Sequence, residues 1–167
     1  MQKETSTALH ALAAQLGESL QARGEILATA ESCTGGWVSM LVTSVTGSST
    51  WFDRGFVTYS NAAKQEMLAV SSEVIEIHGA VSEETARQMV LGAVAHSNAS
   101  VALSITGIAG PGGGSAEKPV GTVCFGWLVD GHCDTETCHF SGDRDAIREQ
   151  AVRHVLSQLL TRLGQKV

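Results

Sequence analysis

The sequence predicts a three-layer α/β/α domain built on a mixed sheet. Helix-patterned and strand-patterned segments alternate through residue 106, and a two-stranded hairpin follows. An apolar stripe at helical spacing closes the chain. Alternation calls for parallel strands with helices on both faces, and a hairpin adds antiparallel pairing to the same sheet.

Leu9, Leu12, Ala13, Leu16 and Leu20 share one helical face, and Gly24 stops that helix. Residues 26–30 read as a buried strand. Residues 37–45 read as a helix closed by Gly47-Ser48-Ser49, and 56–59 as a short strand. Residues 62–70 are helical, and a second short helix follows Ser72. Ser82 caps a helix over 83–96, with Glu83 and Glu84 in its first turn. Residues 101–106 form a buried strand. The segment 107–119 holds five glycines and two prolines and reads as a long loop, a common place for function. Residues 120–129 and 132–140 pair through an Asp130-Gly131 turn. Asp143 opens the last helix, with Ile147, Ala151, Val155, Leu159 and Leu163 facing the core.

A chain of 167 residues suits one domain, expected to span 1–167 with its core at about 7–163. Hydrophobic residues make up 43% and charged residues 17%, a globular balance. The net charge of -6 and the lack of a basic block argue against nucleic acid as a partner. No apolar run approaches the ~20 residues of a membrane span, so no membrane partner is expected. The polar N-terminus lacks a signal-peptide core, and the expected location is the cytoplasm. The four cysteines form no Cys-x-x-Cys pair, and the six histidines fall in no metal-ligand pattern. The expectation is free cysteines, no metal and no cofactor.

Chemistry concentrates at Ala30-Glu31-Ser32-Cys33-Thr34-Gly35-Gly36-Trp37. A strand runs into a small, hydroxyl-rich corner and a helix begins. The helix start is expected to offer unpaired N–H groups and partial positive charge to an anion or oxyanion. Ser32 sits in that field, and Cys33 beside it is the other candidate nucleophile. The chain carries no P-loop, no Gly-x-Gly-x-x-Gly and no Gly-x-Ser-x-Gly elbow. Tyr59 and Lys64 miss the short-chain dehydrogenase spacing by one residue. Ser115-Ala-Glu-Lys118 lies in a Gly/Pro loop, where the Ser-x-x-Lys chemistry of penicillin-interacting enzymes has no helix to stand on. What remains is Ser32 with Tyr59-Ser60-Asn61-Ala62-Ala63-Lys64. A serine needs a base, and with no histidine close in sequence Lys64 is the candidate, once its pKa is lowered. The alternative is a lysine facing solvent on a helix.

The blocks AESCTGGW, GSSTWFDRGFVTYSNAAK, HGAVSEETA, SITGIAGPGGG, KPVGTV and FSGDRDAIR, in that order, resemble the CinA C-terminal domain family over roughly 7–160. The resemblance implies a three-layer α/β fold, a homo-oligomer and an amidohydrolase that converts nicotinamide mononucleotide and water to nicotinate mononucleotide and ammonia. It implies Ser32 as nucleophile, with Lys64 and Tyr59 completing the catalytic group. The residues themselves add the backbone N–H groups of 33–35 as candidate oxyanion donors. The substrate phosphate calls for partners of its own. Candidates are Thr34, Gly35 and Gly36 at the corner, the Ser48-Ser49 turn, the Thr106-Gly107 corner and Arg144, whose guanidinium matches phosphate oxygens. Two other readings stay open: a nucleotide-binding, competence-associated module without turnover, and an amidase for another pyridine nucleotide.

Overall fold

The computed structural model describes residues 2–164, with side chains from Ser6 onward. Met1 and 165–167 of the expected unit lie outside the described residues. The elements run α1 (Gln2–Arg23), β1 (Leu27–Glu31), α2 (Trp37–Thr43), β2 (Phe52–Val57), α3 (Asn61–Leu68), α4 (Ser72–His78), α5 (Glu83–Ala95), β3 (Val101–Gly107), β4 (Thr122–Val129), β5 (His132–His139) and α6 (Arg144–Arg162). A single 3-10 turn, Ser48–Thr50, precedes β2.

The sheet order is β2-β1-β3-β4-β5. β1 pairs parallel with both β2 and β3, and β3, β4 and β5 pair antiparallel. This is the mixed sheet that the sequence predicts. Asp130 (φ 52) and Gly131 (φ 76) both enter the left-handed region, as the tightest hairpin turn requires.

Alternation along the strands sorts side chains onto two faces. Val101, Leu103 and Ile105 of β3 join Phe125 and Trp127 of β4 against α1, α2 and α6. Ala28, Ala30 and Ala102 face the other way, against Leu68 of α3 and Met89, Val90 and Ala93 of α5. The small residues on that second face let α5 lie close, and Ser104 Oγ donates to the Ala86 carbonyl at 2.7 Å.

Most boundaries shift by one or two residues, and the largest departure is at β2. The strand expected at 56–59 is β2, Phe52–Val57, and Tyr59 lies beyond it in a connecting segment. β2 is an edge strand with an exposed Arg54, and Gly55 makes room for Ser39 of α2, so its polar half does not read as strand.

The topology opens a crevice. β2 and β3 flank β1, so the chain leaves β1 in one direction through α2 and returns on the other side through α3, α4 and α5. Such a reversal opens a crevice at the carboxyl ends of the parallel strands.

Candidate active site

The crevice is floored by the residue that follows β1. Ser32 N–H donates to the Ile105 carbonyl at 2.9 Å, and Thr58 N–H donates to the Glu31 carbonyl at 2.8 Å. Ser32 is thereby pinned between the ends of β2 and β3. Gly35 (φ 61) and Gly36 (φ 93) then turn the chain into α2 through conformations that a side chain would oppose.

Glu31 closes that corner from below. It is fully buried, and its carboxylate accepts from Thr34 Oγ1 (2.8 Å), Gly36 N–H (3.1 Å), Val38 N–H (3.1 Å), Ser39 N–H (2.9 Å) and Ser39 Oγ (2.9 Å). The N-cap residue Gly36 has no side chain to do this work. A carboxylate from the preceding strand does it instead, and it offsets the positive end of α2. The expectation of a helix start open to a ligand is therefore corrected: Glu31 occupies it.

Lys64 approaches Ser32 from the opposite layer. Ser60 caps α3, its Oγ accepting from Ala63 N–H at 3.0 Å. Lys64 is the fourth residue of that helix and turns inward, 1% exposed. Its Nζ donates to Ser32 Oγ at 3.0 Å and to the Thr58 carbonyl at 3.0 Å. Among the described residues no carboxylate pairs with it. Burial pushes its pKa down, against a smaller opposing effect of Cys33. The alternative of a solvent-facing lysine is thus excluded.

Cys33 also borders the cleft, but burial pushes its thiol up to about 12. A thiol so placed stays protonated near neutrality and is a poor nucleophile. Its backbone is more useful. Among the described residues, the N–H groups of Cys33 and Thr34 donate to no protein acceptor, whereas Gly35 N–H is spent on the Ser32 carbonyl at 3.0 Å. Of the expected donors at 33–35, only Cys33 both keeps its N–H unspent and borders the cleft.

The cleft holds about 270 Å³ and brings together Ser32, Tyr59, Lys64, Thr106, Gly107 and Arg144. Thr106 is buried and donates its hydroxyl to the Ala80 carbonyl at 2.7 Å. Arg144 sits at the rim. One guanidinium nitrogen donates to the Gly110 carbonyl at 2.7 Å and the other to Tyr59 Oη at 3.1 Å. Tyr59 is mostly exposed, and its hydroxyl pairs with Arg144 and makes no hydrogen bond to Lys64 or Ser32.

Other candidates fall outside the cleft. Thr34 is buried with its hydroxyl given to Glu31, and Gly35 and Gly36 belong to the turn beneath. Ser48 and Ser49 are at the wrong end of the sheet. Their 3-10 turn precedes Phe52, which pairs with Leu27 at the amino end of β1, whereas Ser32 follows its carboxyl end.

Sequence reasoning gave no role to four contributors. Glu31 was hidden because it caps a helix from the far side of a turn. Arg148 of α6 donates to the Cys33 carbonyl (3.1 Å) and the Thr34 carbonyl (3.2 Å), a tie across more than a hundred residues. The Thr58 carbonyl receives Lys64, and no side-chain pattern marks it. Asn61, at the start of α3, borders the cleft one helical turn before Lys64 and was legible from that spacing.

Comparison with known proteins agrees with the geometry. The profile of the CinA C-terminal domain matches residues 9–163. The chain is 52% identical over 156 residues to the nicotinamide-nucleotide amidohydrolase PncC of Escherichia coli K12, covering 93% of this chain and 94% of that one. It is 47% identical over 149 residues to the protein of the same name from Pseudomonas putida, covering 89% and 93%. The crystal structure of the competence/damage inducible protein CihA from Agrobacterium tumefaciens superposes with a TM-score of 0.89 at 43% identity, covering 94% of this chain and 96% of that one. Among the described residues, no helix is long and apolar enough to cross a membrane.

Proposed function

The chain belongs to the CinA C-terminal domain family, and from that premise we propose that it is a nicotinamide-nucleotide amidohydrolase that works through Ser32 and Lys64. Its substrate is nicotinamide mononucleotide, and its products are nicotinate mononucleotide and ammonia. The observation that carries this reading is the 3.0 Å approach of a buried lysine, without a carboxylate partner, to a serine at the head of the cleft. The names of the relatives support the substrate class.

The proposed steps use the groups that border the cleft. Neutral Lys64 takes the Ser32 proton as Oγ attacks the carboxamide carbon. The tetrahedral oxygen turns toward the N–H of Cys33, which borders the cleft and has no other protein acceptor among the described residues. A donor of that kind is worth about 3 kcal/mol of barrier. Lys64, now charged, gives its proton to the departing nitrogen, and ammonia leaves. Water then attacks the ester, Lys64 takes one of the water's protons and returns it to Ser32, and the product acid leaves and ionises to the carboxylate in solution. Arg144 at the rim has guanidinium donors left over for the phosphate.

The test is ammonia release from nicotinamide, its riboside, its mononucleotide and NAD, measured on the purified chain alongside binding. Turnover of the mononucleotide alone is expected. Tight binding without ammonia moves the protein to the binding-module reading. Release from a different member of the series keeps the amidase and changes its substrate.

A further inference from the structure

Outside the cleft, one group of side chains has ligand chemistry that the proposed reaction does not use. Glu136 and Cys138 stand two residues apart on β5 and share the face covered by α6. His154 of α6 reaches down between them. Its Nε2 lies 3.0 Å from Glu136 Oε2 and 3.4 Å from Cys138 Sγ, and the three donor atoms fall within 4.8 Å of one another. Ligands about 2.0–2.3 Å from a tetrahedral ion stand roughly 3.3–3.6 Å apart, so the His154–Cys138 separation of 3.4 Å matches, and the 3.0 Å His154–Glu136 contact opens slightly to admit the ion.

The ring is held ready. His154 packs on Phe125 with centroids 4.9 Å apart, on Phe140 at 5.9 Å and on Trp127 at 6.2 Å. These contacts aim one nitrogen at the other two donors, so a ligand meets little reorganisation. One nitrogen can make a full bond to only one of its two neighbours, and a cation between all three would satisfy both.

The geometry points to a zinc-class site at Glu136, Cys138 and His154, with a fourth position open to water. Thiolate, imidazole and carboxylate suit a borderline divalent ion, and the two anionic ligands balance its charge. From the sequence no metal-ligand pattern is expected, and this group is one that the folded chain brings together. Sequence spacing could not find it, because the histidine lies on another element, 16 residues from the cysteine. β5 is three strand spacings from β1, about 14 Å, so the ion is remote from Ser32. Its effect there is to clip the edge strand to the helix that covers it.

The test uses the whole chain, stripped with a chelator and then titrated with Zn2+ in competition with a chromophoric chelator, and with Co2+ by absorption. One equivalent is expected to bind, with a thiolate-to-cobalt charge-transfer band and a rise in thermal midpoint. Cys138→Ser removes the band. His154→Gln and Glu136→Gln each weaken Zn2+ by more than the roughly 10–100-fold typical of losing an outer-shell partner. Cys124→Ser and Cys133→Ser leave the band in place. Circular dichroism checks that each variant is folded, and conservative Cys138→Ser on a partly exposed strand keeps the test usable if His154→Gln fails. Less than one equivalent bound to the unaltered chain, or a cobalt band that survives Cys138→Ser, overturns the proposal.

Discussion

β1 has a small, hydroxyl-bearing segment beside each end. At the carboxyl end stands Ser32-Cys33-Thr34-Gly35-Gly36, and beside the amino end stands Gly47-Ser48-Ser49. Composition does not separate them. Position on the sheet does. The carboxyl end opens where the chain reverses between β2 and β3, and a lysine from the opposite layer is buried there. The amino end meets the turn before β2, where Leu27 N–H donates to the Trp51 carbonyl at 2.8 Å and Thr50 Oγ1 accepts from Gln21. One segment excludes water and gathers groups from distant elements, and the other closes a surface loop. A glycine-serine run acquires chemistry from what the fold brings over it.

The largest expected effect tests the buried pair. Ser32→Ala should reduce turnover by roughly 10⁴ or more while nucleotide affinity, measured by calorimetry, changes little. Lys64→Arg should fall as far although charge is kept, because arginine holds its proton. An active arginine variant would remove Lys64 as the base. The pH profile gives a second handle. Free lysine ionises near ~10.4, and burial lowers Lys64, so activity should rise with pH along an ionisation below that value. Stability moves in the same direction. Between the folded and unfolded pKa values the unfolded chain holds the extra proton, so raising pH favours the fold. The penalty is fully present below the folded value and gone above ~10.4. Wild type should gain on Lys64→Met as pH climbs through that window, and a constant difference between the two denaturation curves would contradict it.

Next in size is Glu31. Replacing it with Ala strands five donors beneath the serine corner. The expected cost is about 3 kcal/mol or more, since each orphaned buried donor forfeits its partner. Denaturant titration should show the loss, and kcat should fall with it because Ser32 loses its support. A variant as stable as wild type would mean that water replaces the carboxylate, and the corner would then be no more built than the Ser48-Ser49 turn.

How much of this was visible beforehand differs by kind of interaction. The apolar stripes of α1 and α6, the Ser82 cap and the Asp130-Gly131 turn depend on neighbours within a few residues, and periodicity exposes them. β2 was displaced because an edge strand has no partner on one side and carries polar residues that mimic a loop. At the site, Ser32 and Lys64 were legible as residue types a short chain apart. Their burial was not, and burial is what lowers the lysine's pKa. Glu31 under α2, Arg148 on the Cys33 carbonyl and the Glu136–Cys138–His154 group all join elements that only the folded chain brings together.

Arg144 should give a middling effect of a different kind. Its guanidinium touches the rim and the Gly110 carbonyl, and a phosphate bound there is far from the bond that breaks. Ground state and transition state then feel it alike, so Arg144→Ala should raise KM by roughly tenfold with kcat nearly kept. A loss confined to kcat would move Arg144 into the chemical step, through its bond to Tyr59.

The smallest effect is the sharpest test of position. Ser48→Ala and Ser49→Ala alter the same residue type as Ser32→Ala, in an equally glycine-rich setting. Ser49 is exposed and Ser48 half-buried, and neither hydroxyl carries a hydrogen bond among the described residues. Surface changes of this sort stay within about 0.5 kcal/mol. Both variants should match wild type in kcat, KM and unfolding midpoint. If either raises KM as Arg144→Ala does, the phosphate reaches the amino end of the parallel strands. The crevice at their carboxyl ends would then be too short to hold the whole substrate, and the contrast between the two ends of β1 would fail.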